Sequence, residues 1–359
     1  MTSIARRPST GKWIDRWSVS RIGKAQSCQR LIYFDSVMGF RSRFSTSSAI
    51  QGTLAHKGVL ECYHAEGLRR SFAVRGFIEE ATQEIEREQL APVEEIDKLK
   101  GRIYSEGYIE WADRHGGPAC DSMTKTILGI EREFDVTIDG ERFTGIFDMV
   151  LYDKERNVFE IHELKTTSRK EALDLSSSYW RDLTYSTQPV VYAMALSGMI
   201  SSGTSTLKTY FIHDDLLKRA EVEFVYHIIQ TTKSKPGKKK PIRKRKAETE
   251  EEFAVREKEN QETVDEWFQK TLKLYKEDHG RYLKHSFVLT KAEIDQRWDE
   301  ILDVVDATNN SRQFPRNPGS CGDWGGCAFR KVCSGDESLE TSERLKRKKE
   351  EDSECKSIF

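Results

Sequence analysis

The chain has 359 residues, 37% apolar and 10% aromatic, enough for one large domain with a substantial core. Charged side chains reach 33% but the formal net charge is −1, so attraction to a polyanion has to come from local patches. No run approaches the roughly 18 consecutive apolar residues of a membrane span, and the start lacks a secretory signal's apolar core. No membrane partner is therefore expected. The chain reads as intracellular, in a cytoplasm (a host's, for a viral chain), with organellar import as the alternative because Arg6, Arg7 and several serines lie near the start.

Residues 1–12 are polar and are expected to be disordered. Residues 13–125 read as mainly helical, with apolar residues at helical spacing around Leu54, Val59 and Leu60 and again from Phe77. The character changes in 126–230. Ile130, Phe134, Val136 and Ile138 form a strand-like run, and Asp139-Gly140 signals a two-residue hairpin. A second strand runs through Phe143 to Leu151, turn residues follow at Asp153–Asn157, and a third strand spans Val158–Lys165. A helix is predicted from about Thr187 to Ser197, then strands over 205–213 and 221–229. Residues 231–250 form a basic, flexible loop, with nine Lys or Arg among the fourteen residues 233–246. Within 251–335, Ile294, Trp298, Ile301, Leu302 and Val305 share a helical face, and Thr290 and Glu293 have capping-box spacing. Residues 336–359 are a charged tail, expected to fray. A small sheet among helices predicts an α/β (α+β) fold with a central mixed β-sheet flanked by helices.

The third strand carries the chemistry. Glu163 and Lys165 stand two residues apart in FEIHELKTTS and point to one strand face. Asp148 lies on the preceding strand, in GIFDMV, and antiparallel pairing brings it beside Glu163. Two carboxylates there make a hard, oxygen-rich site suited to Mg²⁺ or Mn²⁺. Lys165 beside it can orient a water and stabilise charge developing on a phosphate. E-x-K alone is a common surface pattern. Here the apolar flanks Phe147 and Ile161 place it in a core strand.

Of seven cysteines, Cys321, Cys327 and Cys333 recur with five residues between neighbours. In a reducing compartment this reads as a metal site, and the spacing fits zinc poorly. Cys28 is the best candidate for a fourth thiolate. Cys62 and Cys120 read as buried apolar residues, and Cys355 as an unligated tail residue.

The order G-I-F-D, then E-L-K, resembles the PD-(D/E)XK nuclease core, in the branch that holds RecB- and AddB-type nucleases and CRISPR-associated iron–sulfur nucleases. G-T-L-A-H at 52–56 resembles that branch's G-x-x-x-H motif, which makes His56 a nitrogen ligand to the catalytic metal. The Leu164 backbone carbonyl would complete the ligand set with Asp148 and Glu163. Gln188 to Tyr192 resembles its Q-x-x-x-Y motif, a pair that borders the site and contacts nucleic acid; Pro189 puts Gln188 at the mouth of its helix. His162, on the opposite strand face, and His64 are not matched to a motif. One early and three late cysteines resemble the ligands of a [4Fe–4S] cluster, here Cys28, Cys321, Cys327 and Cys333.

The resemblance implies a metal-dependent deoxyribonuclease, an exonuclease working on single- or double-stranded DNA ends in recombination, repair or processing. A G-x-x-x-x-G-K-[ST] loop is absent, so unwinding would come from a helicase or recombination partner. Lys238, Lys239, Lys240, Arg243, Lys244 and Arg245 are candidates for a phosphate-binding arm, against a solvated loop as the plainer reading. The rivals are a structure-specific endonuclease with the same residues and a non-catalytic, cluster-stapled DNA-binding protein.

Overall fold

The structure, a computed structural model, describes residues 11–43, 45–64, 70–89, 91–115, 124–201, 221–237, 244–245 and 248–348. The N-terminal part is helical, as its spacing predicts. Short helices α1 (Val19–Ser27) and α2 (Gln29–Ile32) lead through a wide turn over Tyr33–Val37 to strand β1 (Phe40–Ser42). Three long helices follow: α3 (Ser47–His64), α4 (Arg70–Gln89) and α5 (Glu95–His115). Helix α3 packs on both others. Its approach to α5 is close because two glycines lie at the contact. A Cβ on Gly58 would meet Ser105 Oγ at 2.3 Å, and one on Gly101 would meet Leu54 Cβ at 2.5 Å.

The hairpin forms where the sequence signals it, between β2 (Lys125–Ile138) and β3 (Glu141–Asp153). Asp139 and Gly140 take φ of +51° and +81°, the left-handed pair that a two-residue turn of this twist requires. β4 (Val158–Thr167) pairs antiparallel with β3 and parallel with the later strand β5 (Glu221–Gln230). A parallel pair needs a crossover connection, and α6 (Ser178–Thr184) and α7 (Thr187–Ser201) lie within it. Helices α8 (Glu250–Glu259) and α9 (Val264–Glu277) come next, then the edge strand β6 (Tyr282–Val288), giving the order β2-β3-β4-β5-β6. α10 (Lys291–Asn309) starts at the anticipated capping box of Thr290 and Glu293.

Each sheet face buries its own cluster. Phe143, Phe147, Val150, Phe159 and Ile161 pack under α1, α7 and α10. Met149, Leu151 and Leu164 pack under α3, α5 and α9. This mixed sheet between helices is the α/β (α+β) fold anticipated from the sequence.

Some elements differ from expectation. β6 is additional; it alternates buried and open positions, but Lys284 and His285 disguise it. α11 (Arg330–Ser334) and strand β7 (Leu345–Arg347) close the described chain, and β7 pairs with β1. Residues 336–348 therefore pack where fraying was expected, because Leu339 and Leu345 are buried among the charges. The strand candidate at 205–213, Cys120, Cys355 and the side chain of His64 lie outside the described residues. No helix among those described is long and apolar enough to cross a membrane.

Candidate active site

The site lies where β3 and β4 part. Their ladder runs from Asp153 and Val158 to Met149 and His162 and stops there. Asp148 and Glu163 are the next residue on each strand. The alternation of β3 also breaks at this point, since Phe147 and Val150, three residues apart, share one core cluster. The freed backbone finds a side-chain partner: Leu164 N–H donates to Asp148 Oδ2 at 2.8 Å.

Helix α3 brings His56 to the same point, with Nδ1 3.5 Å from Asp148 Oδ2. Its ring also bonds the backbone of Leu164. Lys165 Nζ donates to Glu163 Oε1 at 2.6 Å and to Gln188 Oε1 at 3.0 Å. Gln188 thus sits beside the lysine, with Pro189 in the first turn of α7. Tyr192 is buried, and its hydroxyl donates to the Ile146 carbonyl at 2.7 Å, bracing α7 against β3. Asp148, Glu163, His56, Lys165 and Gln188 are brought together; Tyr192 supports them from within the core.

Burial sets the protonation of this group. It raises the Asp148 carboxyl to about 6. Burial, then the neighbouring Asp148 charge, also raises Glu163, which Lys165 offsets only in part. His56 falls to about 4 because burial disfavours the imidazolium, despite the opposing pull of Glu163. It is therefore neutral at pH 7, the form that ligates metals. Burial disfavours the Lys165 ammonium, but Glu163 and Asp148 outweigh that and keep it charged.

These residues suit a divalent cation. Glu163 Oε2 is buried with no hydrogen-bond partner among the described residues. An acceptor left this way costs free energy unless a cation or donor meets it. Two crowded carboxylates offer such a cation hard oxygen ligands, and a neutral imidazole adds a borderline nitrogen donor. Among the described residues no three His, Cys, Asp or Glu side chains converge on a single ion. In this arrangement Lys165 and Leu164 N–H instead occupy one oxygen of each carboxylate.

A second constellation lies outside the sheet. Cys28 ends α1, Cys321 lies in a 3₁₀ turn over Pro318–Gly325, and Cys333 lies in α11. Asn317 N–H donates to Cys28 Sγ at 3.3 Å, and Cys321 Sγ–H faces the Asn317 carbonyl at 3.9 Å. Cys327 N–H donates to the Cys321 carbonyl at 3.0 Å. Burial, then the charges of Cys321, Cys28 and Cys333, push the Cys327 thiol up, so the four sulfurs feel one another. All four are free and half-buried.

Lys238, Lys239, Lys240 and Arg243 lie outside the described residues. Lys244 pairs with Glu250, and Arg245 N–H donates to Glu248, so both contact the acidic start of α8. No motif signalled the buried chain on the other face of β4. There Tyr108 OH meets His227 Nδ1 at 2.7 Å, His227 Nε2 meets His162 Nδ1 at 2.7 Å, and His162 Nε2 meets Glu160 at 3.0 Å. Nor did one flag Tyr226, which the parallel register sets opposite Glu163.

Among solved structures, a candidate exonuclease from Eubacterium rectale aligns at a TM-score of 0.43 and 8% identity, over 91% of this chain and 90% of that one. No curated protein matches. The model of the PD-(D/E)XK nuclease superfamily matches residues 16–334. That span begins before α1 and ends just beyond Cys333, taking in the helical part, the whole sheet and the diverging strands that carry Asp148 and Glu163. The chain belongs to the PD-(D/E)XK nuclease superfamily.

Proposed function

We propose that this nuclease is a divalent-metal-dependent deoxyribonuclease that hydrolyses phosphodiester bonds at DNA ends. Asp148, Glu163, His56 and the Leu164 carbonyl would hold Mg²⁺ or Mn²⁺. The observation that carries this reading is the buried, partnerless Glu163 Oε2 beside Asp148 and a neutral His56. When bound, the cation supplies Lewis acidity at a phosphodiester. Lys165 keeps a proton-bearing, charged Nζ that Gln188 aims from α7. From there it donates to an incoming water or to a non-bridging phosphate oxygen and stabilises charge as it develops. Asp148, bonded to Leu164 N–H, keeps the two parted strands in register.

The preference for ends, and a role in recombination, repair or processing beside a separate helicase, come from the resemblance to RecB- and AddB-type nucleases. The same resemblance assigns a [4Fe–4S] cluster to Cys28, Cys321, Cys327 and Cys333. Their chemistry fits: the donor set is all thiol, and a backbone N–H already points at Cys28 Sγ. A cluster gives each thiolate its own iron, so four sulfurs need not converge on one point as they would around a single ion.

Purified protein with Mg²⁺ or Mn²⁺ should release nucleotides from end-labelled linear DNA and leave closed circles intact. Cleaved circles would instead identify an endonuclease. Lys165→Ala should lower the rate by roughly 100-fold or more while DNA binding persists. Full activity in that variant would remove Lys165 from the mechanism.

A further inference from the structure

The turn between α6 and α7 carries an open aromatic ring beside the site. Tyr185 is 72% exposed, the most open of the large apolar and aromatic side chains among the described residues. The turn that carries it is tied down. Tyr185 N–H donates to the Arg181 carbonyl at 2.9 Å and Ser186 N–H to the Leu183 carbonyl at 3.2 Å. The Arg297 guanidinium of α10 donates to the Ser186 carbonyl and lies 5.8 Å from the Tyr185 ring centre. Glu293 and Glu300 face that guanidinium, so it orients the ring more than it adds net charge.

The same turn reaches the reacting groups. The Ser186 side chain bonds Tyr226, the residue opposite Glu163 in the parallel ladder, and Glu163, Tyr179 and Arg297 all act on that hydroxyl. Two residues further on, Gln188 holds Lys165. Tyr179, whose hydroxyl acts on Lys165, bonds Thr167 and lies near Arg169. Arg169, Lys170 and Arg181 are exposed, with Glu171 and Asp182 their sequence neighbours. An exposed ring on a tied-down turn, with a guanidinium nearby, suits an unpaired base, because every base offers a π-face and its phosphate a negative charge.

We propose that Tyr185 is a base-stacking platform that seats an unpaired nucleotide next to the scissile phosphate, making the substrate of this site a single-stranded DNA end. The proposal rests on the deoxyribonuclease reading above. Tyr185 positions the strand and takes no part in bond making.

The test uses a single-stranded oligonucleotide with 2-aminopurine near its end, titrated with the full chain bearing Lys165→Ala. Stacking should quench the fluorescence. Adding Tyr185→Ala should abolish the quench and weaken binding roughly ten-fold, while Tyr185→Phe should retain both. In the active chain, Tyr185→Ala should raise KM on single strands with little change in kcat. An abasic nucleotide at the stacked position should erase the difference between variants. Because the ring is open to solvent, melting curves should match the parent. Equal quenching and affinity with and without the Tyr185 ring would overturn the proposal. A parent chain that quenches the probe yet cleaves no DNA would overturn the hydrolytic reading and leave the stacking intact.

Discussion

Glu163 and Glu160 stand on opposite faces of β4 and solve opposite problems. Glu163 is buried beside another carboxylate and keeps an unmet oxygen, an arrangement that favours a cation over a stable apo-protein. Glu160 is equally buried but well supplied. Burial would raise its pKa, but the His162 ring, and then Lys125, outweigh that and bring it to about 2. An ionised Glu160 only accepts, so His162 Nε2 carries the proton. His162 Nδ1 then accepts from His227 Nε2–H, and His227 Nδ1 accepts from the Tyr108 hydroxyl. Burial keeps both rings neutral, in agreement with that order. The depressed Glu160 pKa contributes stability that is present above about 4.5 and is lost as pH falls toward about 2. Glu160→Gln should therefore flatten the loss of urea stability across that window; an unchanged acid profile would contradict the assignment.

At the scale of elements, β4 and α3 have separate duties. β4 carries Glu163 and Lys165 on one face and Glu160, His162 and Leu164 on the other, so one strand serves both the site and the core beneath α5. α3 delivers His56 only because it lies close on α5. Gly58 permits that approach, with Ser105 Oγ fixed behind it by bonds to the Ala55 and Gly101 carbonyls. Gly58→Ala should push α3 outward, cost about 1–3 kcal/mol of stability and reduce cleavage by displacing His56. Unfolding midpoint and rate, measured together, check this; a variant with both at parental values would show that the contact yields elsewhere. The hairpin at Asp139-Gly140, by contrast, depends on local backbone geometry and was legible from two residues.

Across the whole molecule, the C-terminal segment returns to the N-terminal helices. Arg30 N–H bonds the Pro315 carbonyl, and Asn317 and Ser320 both bond the Ser27 carbonyl. Phe34 and Phe40 pack with Phe329, Val332, Leu339 and Leu345, and β7 pairs with β1. A metal cluster on the four cysteines would cross-link the two ends of the chain and restrict the unfolded ensemble. Cys327→Ser should abolish the iron content and brown colour expected of the loaded protein and lower its thermal midpoint. A colourless parent with stoichiometric zinc would replace the cluster with a zinc site.

Neighbouring residues set the local features. The turn at Asp139-Gly140, the strands around it, the capping box at Thr290 and the helix opening at Pro189 each follow from a few adjacent residues and their backbone preferences. Two residues of strand spacing likewise put Glu163 and Lys165 on one face. Where long-range partners meet emerges only when the chain folds. No spacing rule sets Tyr226 opposite Glu163, links His162 to His227, turns Tyr192 inward to Ile146 or buries Leu345 in a charged tail. Those contacts join segments tens to hundreds of residues apart, and their energies come from packing and desolvation that exist only once the sheet and its helices have closed.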